Sequence, residues 1–171
     1  MRIFQDQASL QCQFIFLADE YLHTRGLPNG DLVATYFAIQ SLLGAAALLR
    51  RTLWGQDTSD ANKRIELRES LEIGDDSPIN DPKVRNRFEH FDQFIEKWWN
   101  KPEPKGLVDM NILPKKVDFA PEKDIFRHLA TDTLEVTFWG ETFDIPAVVN
   151  EAIRIKRIAD RELSKPSEAK A

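Results

Sequence analysis

Leu32-Val33-Ala34-Thr35-Tyr36-Phe37-Ala38-Ile39-Gln40-Ser41-Leu42-Leu43-Gly44-Ala45-Ala46-Ala47-Leu48-Leu49 is the stretch that decides how this chain folds. Only Thr35, Gln40 and Ser41 interrupt the apolar run, and no side chain in it is charged. A helix that is apolar all round is expected at the centre of a bundle. Its length approaches that of a membrane span, but the small residues from Gly44 to Ala47 suit close packing of neighbouring helices, and no membrane is expected. Asp31 is placed to cap the first free amides of this helix, which is predicted to continue to about Trp54.

On the amino-terminal side, Ile3, Leu10, Phe14, Leu17 and Tyr21 recur at intervals of three, four and seven. That spacing predicts an amphipathic helix to about His23 with these residues on its core face. Arg25-Gly26-Leu27-Pro28-Asn29-Gly30 ends it, so the first two helices should form an antiparallel pair. On the other side, Ile65, Leu67 and Leu71 among charged neighbours predict a short surface helix within 63–73, followed by a loop over 74–80. Asp81-Pro82 then starts a helix to about Asn100, because Asp caps free amides and Pro suits the first helical position.

Residues 101–123 carry prolines at 102, 104, 114 and 121 and are expected to form an extended strap. A short helical segment carrying His128, in a structural role, should follow. Leu134, Val136 and Phe138 then alternate with polar residues, as do Phe143 and Ile145, which predicts a β-hairpin. A Gly140-Glu141 turn would set Phe138 opposite Phe143 and Val136 opposite Ile145. Pro146 opens a last helix through about Glu162, and 164–171 should be a frayed tail. The expected fold is therefore mainly α, an up-and-down helical bundle with a C-terminal β-hairpin and final helix. Residues 1–100 form its core, 101–123 the strap, and 124–163 the short helix, hairpin and last helix packed on the same domain.

At 171 residues and 42% hydrophobic content the chain is long enough for one buried core. Its single cysteine, Cys12, excludes an internal disulfide and any multi-cysteine zinc site. The amino terminus has no basic leader followed by an apolar core, so a cytoplasmic location is expected. A formal net charge of -5 argues against a general nucleic-acid coat, since nonspecific affinity comes from many Lys and Arg contacts to phosphate.

Within 81–100, Val84, Phe88, Phe91, Ile95 and Trp98 would share one helix face, the core face. Arg85, Asn86, Glu89 and His90 would lie opposite. As an ordinary solvated face, Arg85 pairs with Glu89 and Asn86 bonds His90 one turn on. The interval Arg85-Asn86-x-x-x-His90, followed by Phe91-Asp92, also resembles the motif of the HEPN (higher eukaryotes and prokaryotes nucleotide-binding) family, in which Arg and His are separated by four to six residues and a polar residue often follows the Arg. The resemblance covers 84–99, about one tenth of the chain. It implies a set of long helices and, in catalytically active members, metal-independent RNA cleavage by a homodimer of the toxin or defence kind, with an antitoxin or other partner protein.

In that chemistry His90 shuttles the proton, Arg85 holds the phosphate and Asn86 orients His90 or the ribose. Glu89 and Asp92 are auxiliary, and the carboxylate of Glu89 opposes phosphate unless Arg85 neutralises it. One chain carries one such histidine while the reaction needs an acid and a base, so a two-fold dimer is expected to supply both. No cofactor or metal is implied: Glu20-x-x-His23 is half of a di-iron pattern that the second helix, without acidic residues after Asp31, does not complete. The alternative is a noncatalytic HEPN-like scaffold or interaction module using the same face. Trp98 is expected in the core, Trp99 partly exposed, and Trp139 at the hairpin tip is the tryptophan best placed to meet a partner.

Overall fold

The computed structural model describes residues 1–81, 90–103, 105–115 and 117–166. It is mainly helical, with a small four-stranded sheet and a long C-terminal helix. Helix α1 spans Arg2–Tyr21 and α2 spans Leu32–Trp54, and they pack side by side along most of their length. Asp31 caps α2 as expected, its side chain accepting from the Ala34 amide at 3.0 Å. Between them the chain passes through a wide helical turn, Leu22–Gly26, and a 3-10 turn, Leu27–Asn29.

Gly26 touches α2 so closely that a Cβ there would lie 2.9 Å from the Thr35 Cα and 2.7 Å from its hydroxyl. Thr35 is fully buried and sits in helix backbone, so neither side can yield easily. Gly26→Ala is therefore expected to cost about 1–3 kcal/mol, the usual range for overpacking. Urea unfolding of the two proteins checks this.

The α1–α2 pair corrects the sequence reading in one respect. Ala8, Cys12, Ile15 and Ala18 form the buried face of α1, together with Gln5 and Gln11. The large residues Ile3, Leu10, Phe14, Leu17 and Tyr21 are exposed. Small side chains on the inner face let the helices approach closely, which leaves the bulky stripe outside. Helix α2 is likewise not buried all round, since Leu32, Val33, Phe37 and Leu48 are exposed. It is long and apolar enough to cross a membrane by length and composition, with 56% of that window buried inside the fold. Cys12 fills space in the core, and burial pushes its thiol up to about 12.

Two short helices, α3 (Thr58–Lys63) and α4 (Ile65–Ser70), follow α2. Leu67, Leu71 and Ile73 are buried, while Ile65 is exposed. Arg64 and Arg68 donate to the last carbonyls of α2, those of Arg51, Thr52 and Leu53, and so close its C-terminus. A 3-10 turn at Pro78–Asn80 interrupts the expected loop. Beyond the residues left undescribed, α5 covers Phe91–Trp99.

The hairpin is half of a larger sheet. Strands β1 (Asn111–Leu113), β2 (Arg127–Ala130), β3 (Glu135–Phe138) and β4 (Glu141–Asp144) lie side by side in that order. β1 is parallel to β2, and the other neighbours are antiparallel. The strap over 101–123 thus contributes a strand, and the segment read as a short helix before the hairpin is a 3-10 turn, Glu122–Asp124, leading into β2. His128 is structural, buried in β2 with Nε2 3.0 Å from the Lys115 carbonyl.

The hairpin register also differs from expectation. Val136 pairs with Phe143 and Phe138 with Glu141, so the turn residues are Trp139 and Gly140. Both have positive φ, 50° and 81°, as a two-residue turn matching the strand twist requires. A slip of two residues keeps each side chain on its face, so Val136, Phe138 and Phe143 remain together and buried. Ile145 is buried too, but as the first residue of α6 (Ile145–Ser164). Asp144 caps that helix through the Ala147 amide at 2.8 Å. One continuous core joins α1, α2, α4, the sheet and α6.

Candidate functional site

The motif segment is flanked on both sides by described structure. Before it, Ser77 starts the Pro78–Asn80 turn, and its hydroxyl donates to Glu151 Oε1 of α6 at 2.8 Å. Arg154 forks onto the same carboxylate through Nε and Nη2, each at 2.8 Å, and donates through Nη1 to the Glu72 carbonyl at 2.9 Å. This network fastens the segment leading to the motif onto α6. The Arg154 hydrogen bonds hold the Glu151 carboxyl below its ordinary value near 4.5; burial pushes the other way, and Ser77 adds to the lowering.

A folded-state pKa below the unfolded one means that Glu151 stabilises the fold at neutral pH. That contribution fades as pH falls through the ordinary carboxylate range to the lowered folded value. Glu151→Gln is expected to reduce the melting temperature at pH 7 and to flatten the fall in stability between pH 6 and acid, measured by thermal unfolding across a pH series.

After the motif segment, His90 stands at the start of α5 with φ -114° and ψ 30°, outside helical geometry, and its carbonyl accepts from the Phe94 amide at 3.2 Å. The helix expected from Asp81 to Asn100 therefore does not run through His90, and Asp81 itself is extended. The reading of Val84, Arg85, Asn86, Phe88 and Glu89 lies outside the described residues, as does that of the Phe91 side chain. His90 is exposed, and Gln93 Nε2 lies 3.4 Å from its Nδ1. Asp92 is exposed in the first turn of α5, where a carboxylate favours the helix dipole.

Aromatic contacts fix α5 on the sheet. Trp98 is buried as expected, donating from Nε1 to Asp124 at 2.9 Å and meeting Phe126 edge to face. Phe94 contacts Trp139, which stacks on Phe126 with ring centroids 4.0 Å apart. Trp139 is thus half-buried support for α5 and not a free tip residue, while Trp99 is exposed as anticipated. The sheet is in turn tied to α2: Tyr36 donates to the Asn111 carbonyl at 2.9 Å, and Arg127 lies over the Tyr36 ring while its Nε donates to Asp109 at 2.7 Å.

Sequence reasoning passed over one neighbouring feature. A cleft of about 350 Å³ opens where the end of α2 meets Asn80, with Arg50, Trp54, Gln56 and Asp57 among its walls. Arg50 donates from Nε to the Asn80 carbonyl at 3.4 Å. No local pattern announces it, because it joins residues thirty positions apart. Among the described residues no group of three or more His, Cys, Asp or Glu side chains is arranged to hold a metal ion. The sequence matches no family model, and no match is found among curated proteins or solved structures.

Proposed function

We propose that this chain is a HEPN-like, metal-independent endoribonuclease of the toxin or defence kind that works as a homodimer, with Arg85, Asn86 and His90 as its catalytic residues. The observation that carries this reading is His90 itself, exposed at the start of a helix pinned to the sheet by Phe94 and Trp98. A histidine so placed meets RNA without being buried in the core, and imidazole is the side chain best suited to moving a proton in both directions.

In the proposed reaction a ribose 2′-OH attacks the adjacent phosphorus while a base takes its proton. The bond from phosphorus to the 5′-oxygen breaks, and an acid supplies the proton for the leaving oxygen. His90 from each of two copies fills these two roles, Arg85 binds the crowded phosphate in bidentate fashion, and Asn86 orients the ring or the ribose. Glu89 and Asp92 tune the local charge.

The second reading is a noncatalytic HEPN-like scaffold binding a partner protein. The exposed Asp92 two residues from His90 and the net charge of -5 favour it, since both oppose phosphate. Incubation with single-stranded RNA in excess chelator separates the two. Cleavage undiminished by chelator is the expected outcome, and its loss on chelation would transfer the chemistry to a metal-bound water.

A further inference from the structure

The bulky stripe left outside α1 and the exposed side of α2 form one apolar surface. Phe14, Leu17 and Tyr21 of α1 and Phe37 and Leu48 of α2 wall a groove of about 600 Å³, whose floor is made of the small residues Ala18, Ala38, Ser41, Gly44 and Ala45. The walls are exposed by 40 to 59%. Val33, one turn before Phe37, is 74% exposed and extends the patch. From Leu32 to Leu49 the outward side of α2 carries no charged residue, whereas charged side chains make up roughly a quarter to a third of an ordinary protein surface.

We infer that this face is a self-association surface, in which the α1–α2 pair of one molecule packs on that of a second copy to form a four-helix arrangement. Area supports this occupant. With about half of each side chain's ~200 Å² uncovered, the five walls and Val33 present on the order of 600 Å² of apolar surface. A stable two-fold interface buries ~800 Å² per partner, about 65% of it apolar in homodimers, or roughly 520 Å². The shape is self-complementary as well: large walls around a floor of small residues allow the walls of one copy to enter the groove of the other about a two-fold axis.

Charge disfavours a lipid surface as the occupant. Interfacial membrane helices carry Lys and Arg along their polar face, whereas α1 has Asp6, Asp19 and Glu20 against Arg2. This pairing is the seam of the same homodimer proposed above; it is built from residues other than the motif and holds whether or not that dimer cuts RNA.

Sedimentation equilibrium of wild-type protein and of Leu17→Glu/Phe37→Glu tests the inference, with Ile153→Glu, an equally exposed apolar site on α6, as control. Wild type and control are expected at twice 19.7 kDa, and the double variant at 19.7 kDa with unchanged helicity. Ser41→Cys, which leaves the walls intact, provides a second route: treatment with a short bismaleimide is expected to give a covalent dimer, since Cys12 is buried and does not compete. A wild-type monomer at ~100 μM, a concentration that populates even weak specific dimers, would overturn the proposal. So would a dimer that survives the double substitution, exclusively monomeric labelling of Ser41→Cys, or co-sedimentation of wild type, but not the double variant, with phosphatidylcholine–phosphatidylglycerol vesicles. RNA cleavage by the same samples is read separately, so loss of this interface and loss of the nuclease reading are distinguishable.

Discussion

His90→Ala is expected to abolish RNA cleavage while the melting temperature moves by no more than an ordinary surface substitution would move it. General acid–base catalysis by a positioned side chain contributes about 10²–10⁴-fold, and in a homodimer both the acid and the base are lost together. The structural cost is small because His90 is exposed and, among the described residues, its ring meets Gln93 only at 3.4 Å. Its carbonyl, which starts α5, is retained in Ala. Arg85→Ala should show a similar loss, Asn86→Ala a milder one, and Glu89→Gln a gain if that carboxylate competes with phosphate. Unchanged cleavage by purified His90→Ala would assign the activity elsewhere and leave the scaffold reading in front.

Phe138→Ala is expected to destabilise the fold by about 3 kcal/mol or more, the range for removing a buried aromatic ring. Phe138 is 2% exposed on the β-strand before the turn, and its neighbours Val136 and Phe143 are buried on the same face. The turn beside it already holds Trp139 at positive φ, a conformation uncommon for a non-glycine residue. Stacking of Trp139 on Phe126 and the Trp139 amide bond to the Phe126 carbonyl at 2.8 Å offset that cost. Chemical denaturation measures the loss. A change within about 0.5 kcal/mol, the scale of surface substitutions, would contradict the packing described.

The long helices were legible because their ends are chemically marked: Asp31 caps α2, Asp144 caps α6 and Pro146 sits at its second position. The hairpin was legible in parity but not in register. Gly140 can serve either turn position, and the choice was made by the Phe126 ring that steadies Trp139, a contact remote in sequence. Strands β1 and β2 went unread because each is three or four residues long and their parallel pairing spans roughly a dozen residues of connection, beyond any local pattern.

The face of α1 was misread for a more useful reason. Periodicity places large apolar residues inward, yet the inner face uses Ala8, Cys12 and Ile15 for close packing, and the bulk lies on the surface that a second copy is proposed to cover. Of the motif, Arg85 and Asn86 lie outside the described residues, and at His90 the backbone is outside helical geometry, so the helix predicted from Asp81 does not run through that position. The network of Ser77, Glu151 and Arg154 that anchors the preceding segment joins residues more than seventy positions apart.

The most direct test is the chemistry of the cut ends. A defined single-stranded RNA, incubated with purified protein in chelator and resolved by mass spectrometry, should yield fragments ending in 2′,3′-cyclic phosphate paired with fragments beginning in 5′-hydroxyl, because the nucleophile is the neighbouring ribose oxygen. RNA left intact by the wild type, or fragments with 5′-phosphate and 3′-hydroxyl ends, would contradict the account.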